Sequence, residues 1–127
     1  MATERQRRGL HAESAVAEHL ADLGWTVLAR NVRVGRDEID VVAVDPGPPR
    51  ELVLVEVRSA RAAAFGPPEE RVDRRKVRRL YRARAAFVAA GMAPAECAGL
   101  ATRVDLVIVD RRSGMTVIRQ LRNLEPP

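Results

Sequence analysis

Three kinds of residue are scarce in this chain of 127, and each scarcity closes off a class of explanation. Aromatic residues make up 3% of the chain against 46% hydrophobic residues, so the interior must be assembled from Val, Leu, Ile and Ala. The same shortage removes the stacking platforms typical of single-strand nucleic-acid binders. Cysteine occurs once, at Cys97, which excludes an internal disulfide, and no Cys/His grouping has zinc-ligand spacing. A reducing, cytoplasmic setting is the expectation. No apolar run approaches the roughly 18 residues of a membrane span, and no apolar signal core follows the charged stretch Met1 to Arg8. A soluble protein with no membrane partner is expected. Lysine is the most lopsided shortage: of 22 basic residues only Lys76 is lysine, and the other 21 are arginine.

What is present points to one domain, residues 1–127 with a core over about 9–121, because two halves would each be too small to bury a core. Apolar residues at Ala12, Val16, Leu20 and Leu23 recur at helical spacing over Arg8 to Leu23, and Gly24 supplies a stop. Trp25 to Arg30 reads as a strand ending near Asn31, followed by a polar stretch from Arg33 to Asp37. Ile39 to Val44 and Leu52 to Val57 are two more strands, joined by the turn Asp45 to Pro49. Ser59 to Glu70, with Phe65-Gly66-Pro67-Pro68, reads as a loop, and Asp73 to Ala90 as a second helix stopped by Gly91. Met92 to Ala101 is irregular, and Val104 to Val109 and Thr116 to Leu121 form a last strand pair around the turn Asp110 to Gly114. The order α-β-β-β-α-β-β predicts an α/β fold, a central mixed sheet flanked by helices.

Carboxylates interrupt strands otherwise suited to a sheet interior: Asp40 in IDVVAV, Glu56 in LVLVEV and Asp105 in VDLVIV. A buried, unpaired carboxylate is costly. Strand alternation puts Glu38 and Asp40 on one face of the second strand and Glu56 and Arg58 on one face of the third, so if the strands are neighbours Asp40, Glu56 and Arg58 can converge. Two carboxylates held close repel unless a cation joins them, and oxygen ligands suit Mg2+ or Mn2+. Such a site is equipment for phosphodiester chemistry. The residues alone leave a second account open, in which Asp40 and Glu56 pair with arginines such as Arg58 or Arg103.

On a helical wheel Arg74, Arg75, Arg78, Arg79 and Arg82 fall within about 140° of one another, and Val77, Leu80, Ala83 and Phe87 form the opposite, core-facing stripe. The net charge of +5 and sequence pI near 10.8 are thus concentrated where phosphates could be gripped, with duplex or branched DNA the expected partner. Lys76 falls beside the apolar stripe rather than among the arginines. Two accounts of it stand: contact with a phosphate at the edge of a metal site, or a lysine whose stem lies along apolar surface while its head reaches water. His11 and His19 read as surface residues, Cys97 carries no assigned chemistry, and Trp25 and Tyr81 read as core or rim.

Taken together, Gly9-Leu10-His11-Ala12-Glu13, Arg30-Asn31, Glu38-Ile39-Asp40, Val55-Glu56-Val57-Arg58, Phe65-Gly66-x-Pro68, Lys76 and Arg103-Val104-Asp105 resemble the UPF0102 proteins. That bacterial family has the restriction-endonuclease-like, PD-(D/E)xK fold. The resemblance implies Asp40 and Glu56 as metal ligands, Arg58 at the motif's lysine position, and Glu13 as the first-helix acid that Holliday-junction resolvases of this fold use. It also implies a possible homodimer, since such resolvases cut two strands symmetrically. Three positions depart from the pattern. Arg58 keeps the lysine's charge but cannot act as a base. Asp37 stands before Glu38 where glycine is usual, and Ala12 stands before Glu13 where glycine is usual. Two functions are therefore expected to compete, a Mg2+-dependent endonuclease or resolvase-like enzyme and a non-catalytic nucleic-acid-binding or adaptor module. A third reading has the arginine helix docking an acidic protein.

Overall fold

A computed structural model describes residues 3–61, 74–112 and 114–125. The elements run α1 (Glu4–Asp22), β1 (Thr26–Val34), β2 (Asp37–Asp45), β3 (Glu51–Arg61), α2 (Arg74–Ala89), β4 (Ala101–Arg112) and β5 (Met115–Leu121), with a 3-10 turn at Ala95–Cys97. The five strands form one sheet in chain order. Only the β3–β4 pair is parallel, and the segment containing α2 makes that crossover. The expected element order and the mixed sheet flanked by helices are both present, as in the restriction-endonuclease-like fold.

Local chemistry sets the boundaries. Helix α1 starts four residues before the expected Arg8, because Thr3 and Gln6 form a reciprocal cap. The Thr3 hydroxyl accepts from the Gln6 N–H at 3.1 Å, while the Gln6 side chain accepts from the Thr3 N–H at 2.8 Å. Leu23, expected in the apolar stripe, is instead the C-cap and lies half exposed. Gly24 follows at φ 88°, a conformation that favours glycine, and turns the chain so that the Trp25 N–H reaches the Leu20 carbonyl at 3.0 Å. Strand β1 runs to Val34 rather than ending at Arg30. It is a sheet edge whose outer residues are mostly exposed, so polar side chains there do not break it.

Strand β3 continues past Val57 to Arg61, so Ser59 belongs to the strand rather than to a loop. Ala60 and Arg61 likewise belong to β3, and the expected loop from position 62 on, including Phe65-Gly66-Pro67-Pro68, lies outside the described residues, as do Asp73 and Ser113. Asp110 to Arg112, expected as a turn, complete β4 instead.

The helices cover opposite faces. Ala12, Val16 and Leu20 of α1 pack with Trp25 on Val41, Ala43, Val53, Val55, Val107 and Val109. Ala83 and Phe87 of α2 pack with Cys97 on Val42, Val44, Leu52 and Leu54. All four residues of the expected α2 stripe, Val77, Leu80, Ala83 and Phe87, are buried. At roughly 1.5–3 kcal/mol for each fully buried aliphatic side chain, these two layers hold the sheet between the helices. Among the described residues no helix is long and apolar enough to cross a membrane.

Candidate metal centre

The alternation of β2 changes phase where the site forms. Val41 and Ala43 face α1, but Ile39 joins Val42 and Val44 in the cluster on the α2 side. The β2–β3 ladder begins only at the Val41–Val55 pair. Across β2 from Asp40, edge residue Asn31 takes φ 52°, a left-handed conformation that asparagine tolerates better than most residues. Beyond the last β2–β3 pair, Asp40 Oδ2 accepts from the Val57 N–H at 2.8 Å.

Three carboxylates converge there. Oxygens of Glu13 from α1, and of Glu38 and Asp40 from β2, lie within 4.8 Å of one another. Glu13 Oε2 is buried with no hydrogen-bond donor, and Arg30 Nη2 stands 3.9 Å away. Burial raises the Glu13 pKa, and the charges of Glu38 and Glu56 add to it against the opposing pull of Asn31 and Arg30. Asp40 is pushed up to about 8, first by burial and then by the negative charge of Glu56, with the hydrogen bond that protonated Asp40 donates to Glu56 and the charge of Glu13 adding to the shift. The Val57 N–H opposes the shift but does not cancel it.

Glu56 reaches the same place from β3. Its Oε1 lies 3.0 Å from the Lys76 Nζ of α2, and both side chains are largely enclosed. Asp40, Glu56 and Lys76 line a cleft of about 290 Å³ together with Glu38, Arg79 and Leu80. Thus Asp40, Glu56 and Lys76 share the cleft, and Glu13 joins them through its approach to Asp40 and Glu38; neither Glu13 nor Arg58 lines the cleft itself. Arg58 is half-buried on β3 in register with Ile108 of β4. Glu38 is the member that residue-by-residue reading did not select, although its alternation with Asp40 carried the signal.

The alternative in which Arg103 neutralises Asp40 or Glu56 does not hold. Arg103 sits at the opposite end of the sheet, donating from Nε to Asp105 Oδ1 at 3.0 Å and from Nη1 to Glu51 Oε1 at 3.0 Å, with Nη2 2.9 Å from Asp45 Oδ2. Gln120 Nε2 at 2.8 Å and the Asn123 N–H at 2.9 Å complete the donors around Asp105, which is fully buried. This is a satisfied structural network, and Trp25 lies under both Arg103 and Arg122 as part of it.

Arg74, Arg75, Arg78, Arg79 and Arg82 are all exposed on α2. Arg82 is also committed locally: Nε and Nη2 donate to the two Asp37 carboxylate oxygens at 2.9 and 2.8 Å. That bidentate pair lowers the Asp37 pKa and gives the residue standing in the usual glycine position a structural partner. His11 is exposed and His19 half-buried, and neither belongs to the carboxylate group. The Tyr81 hydroxyl donates to the Leu124 carbonyl, a rim position.

The family model for "Uncharacterised protein family UPF0102" matches residues 12–109, which span Glu13, Asp40, Glu56 and Lys76. The chain belongs to the UPF0102 family. A UPF0102 protein of Moorella thermoacetica is 39% identical over 125 residues, covering 94% of this chain and 98% of that one. Another from Symbiobacterium thermophilum is 40% identical over 106 residues and 83% of each chain. A third, from Desulforamulus reducens, is 30% identical, covering 97% of this chain and 98% of that one. The solved structure of Pyrococcus furiosus SfsA in complex with Ca2+ aligns over 94% of this chain and 64% of that chain at 11% identity, with a TM-score of 0.33, too slight a likeness to carry an argument.

Proposed function

We propose that this UPF0102 protein is a divalent-metal-dependent phosphodiesterase acting on nucleic acid, with duplex or branched DNA as the substrate class. The observation that carries the reading is the convergence of Glu13, Glu38 and Asp40 within 4.8 Å beside Glu56, in a cleft whose rim includes Arg79 of the basic helix.

The donor set fits Mg2+ or Mn2+. All candidate ligands are hard carboxylate oxygens, and buried Glu13 Oε2 lacks any donor. The upward shift of Asp40 has the same origin, negative charge crowded into a poorly solvated place, which a cation would relieve. Asp40, Glu13 and Glu38 would hold the ion, with Glu56, which touches Asp40, able to join them. When bound, such an ion polarises a scissile phosphate and acidifies a bound water. Lys76 and Arg79 face the cleft as cations that can meet phosphate oxygens, and the exposed arginines of α2 supply sequence-independent, salt-sensitive grip. The buried thiol of Cys97 suits a reducing, cytoplasmic setting.

A second reading, a non-catalytic nucleic-acid-binding module, is favoured by one observation: arginine stands at position 58, and an arginine cannot take a proton from water at ordinary pH. The two separate on incubation of purified protein with branched, nicked and intact duplex DNA in Mg2+ or Mn2+. Cleavage that Glu56→Ala abolishes supports the enzyme. Salt-dependent binding with no cleavage of any of these substrates supports the module.

A further inference from the structure

Lys76 is the single lysine of a chain with 21 arginines, and it is placed unlike the arginines around it. Arg74, Arg75, Arg78, Arg79 and Arg82 are exposed, whereas Lys76 is turned into the cleft with its Nζ 3.0 Å from Glu56 Oε1. Glu56 in turn stands outside the group formed by Glu13, Glu38 and Asp40. One carboxylate of the site therefore has an ammonium partner, while its neighbours crowd together without one of that quality.

We propose that the Lys76 ammonium is an exchangeable counter-ion, holding Glu56 while the cleft is free of metal and releasing it, to bind substrate phosphate, once a divalent cation beside Asp40 takes the Glu56 carboxylate that already touches Asp40. The inference rests on the metal reading above and adds an order of events: metal loading frees the cation that receives the phosphate. The chemistry of the side chain agrees with this role. An ammonium is a compact point charge on a flexible stem, able to swing between two anions, whereas a guanidinium would hold a carboxylate through a rigid, planar fork. A carboxylate shared between two cations binds each less tightly than it would bind either alone, so Lys76 and the metal compete for Glu56. Lys76 is then a positioning residue for Glu56 in one state and a phosphate ligand in the other.

Because Lys76 is the only lysine, protein labelled with 15N-lysine gives one side-chain ammonium resonance. As Mg2+ is added, that resonance should move toward its position in Glu56→Gln, in step with metal uptake measured by calorimetry. Lys76→Met should bind Mn2+ about twofold to fivefold more tightly than the wild type, the scale expected for removing one partly exposed ion pair. Metal uptake with a stationary Lys76 resonance, or Mn2+ affinity in Lys76→Met no higher than in the wild type, overturns the inference while leaving the metal reading intact. If the wild type takes up neither ion, the metal reading falls and the inference falls with it.

Discussion

Asp40 Oδ2 accepts the Val57 N–H at 2.8 Å at the point where the β2–β3 ladder has stopped, so a side chain satisfies the main-chain donor that β2 leaves open. The carboxylate is thereby fixed at the junction of two strands and a helix, facing Glu13 of α1, Glu38 of its own strand, Glu56 of β3 and, beyond Glu56, Lys76 of α2.

This placement predicts an unusual pH dependence for the metal-free protein. The Asp40 pKa rises from 3.8 to about 8 on folding, so between those values the folded state holds more protons than the unfolded chain. The stabilising contribution of protonated Asp40 is full at low pH and is lost as pH rises through about 8. Asp40→Asn keeps an acceptor for the Val57 N–H and removes the charge. In chelator, urea unfolding should show it stabilised by on the order of 1–3 kcal/mol above pH 8, with the gain shrinking toward pH 5. A stability difference that does not vary with pH would contradict the assignment.

The opposite end of the sheet should behave differently. Arg103 serves Asp45, Glu51 and fully buried Asp105, so its removal strands at least one carboxylate without a counter-charge. Arg103→Met should cost about 3–5 kcal/mol in urea unfolding, and Arg103→Lys should recover little, because a point charge cannot reproduce the fork that grips Asp105. A loss below about 1 kcal/mol would show that the network is dispensable.

That contrast explains what could be read from the residues. Asp40 and Asp105 give the same signal, an acid inside an apolar strand, but Asp105 has Arg103, Gln120 and Asn123 as donors and Asp40 has mainly other acids around it. Spacing shows that a carboxylate is enclosed, and only tertiary neighbours show whether it is satisfied. The core face of α2 was legible because Val77, Leu80, Ala83 and Phe87 repeat at helical period. Glu38 was harder, since an acid beside the polar stretch Arg33 to Asp37 looks ordinary until Glu13 and Asp40 are seen to converge on it. Glu13 stood out through family resemblance alone, being one polar residue among several on α1. The far half of β1 was missed because its apolar residues, Val32 and Val34, alternate with the exposed polar residues Asn31 and Arg33 of an edge strand.

The exposed arginines predict a graded response to salt. Arg78→Ala and Arg79→Ala should each weaken binding of a short duplex DNA and lower the slope of log affinity against log salt by about 1. Arg82→Ala should lower it less, because both carboxylate oxygens of Asp37 already occupy its guanidinium. Equal losses at all three positions, or none, would contradict a phosphate-gripping face on α2.

The most direct test of a metal-dependent site is a crystal structure of the protein soaked in Mn2+, with the ion located by its anomalous scattering. The account predicts one ion bound by Asp40 and Glu13, with Glu56 turned toward it and away from Lys76, and loss of that ion in Asp40→Asn. A fully soaked crystal with no ion among these carboxylates, and Glu56 still paired to Lys76, would contradict it.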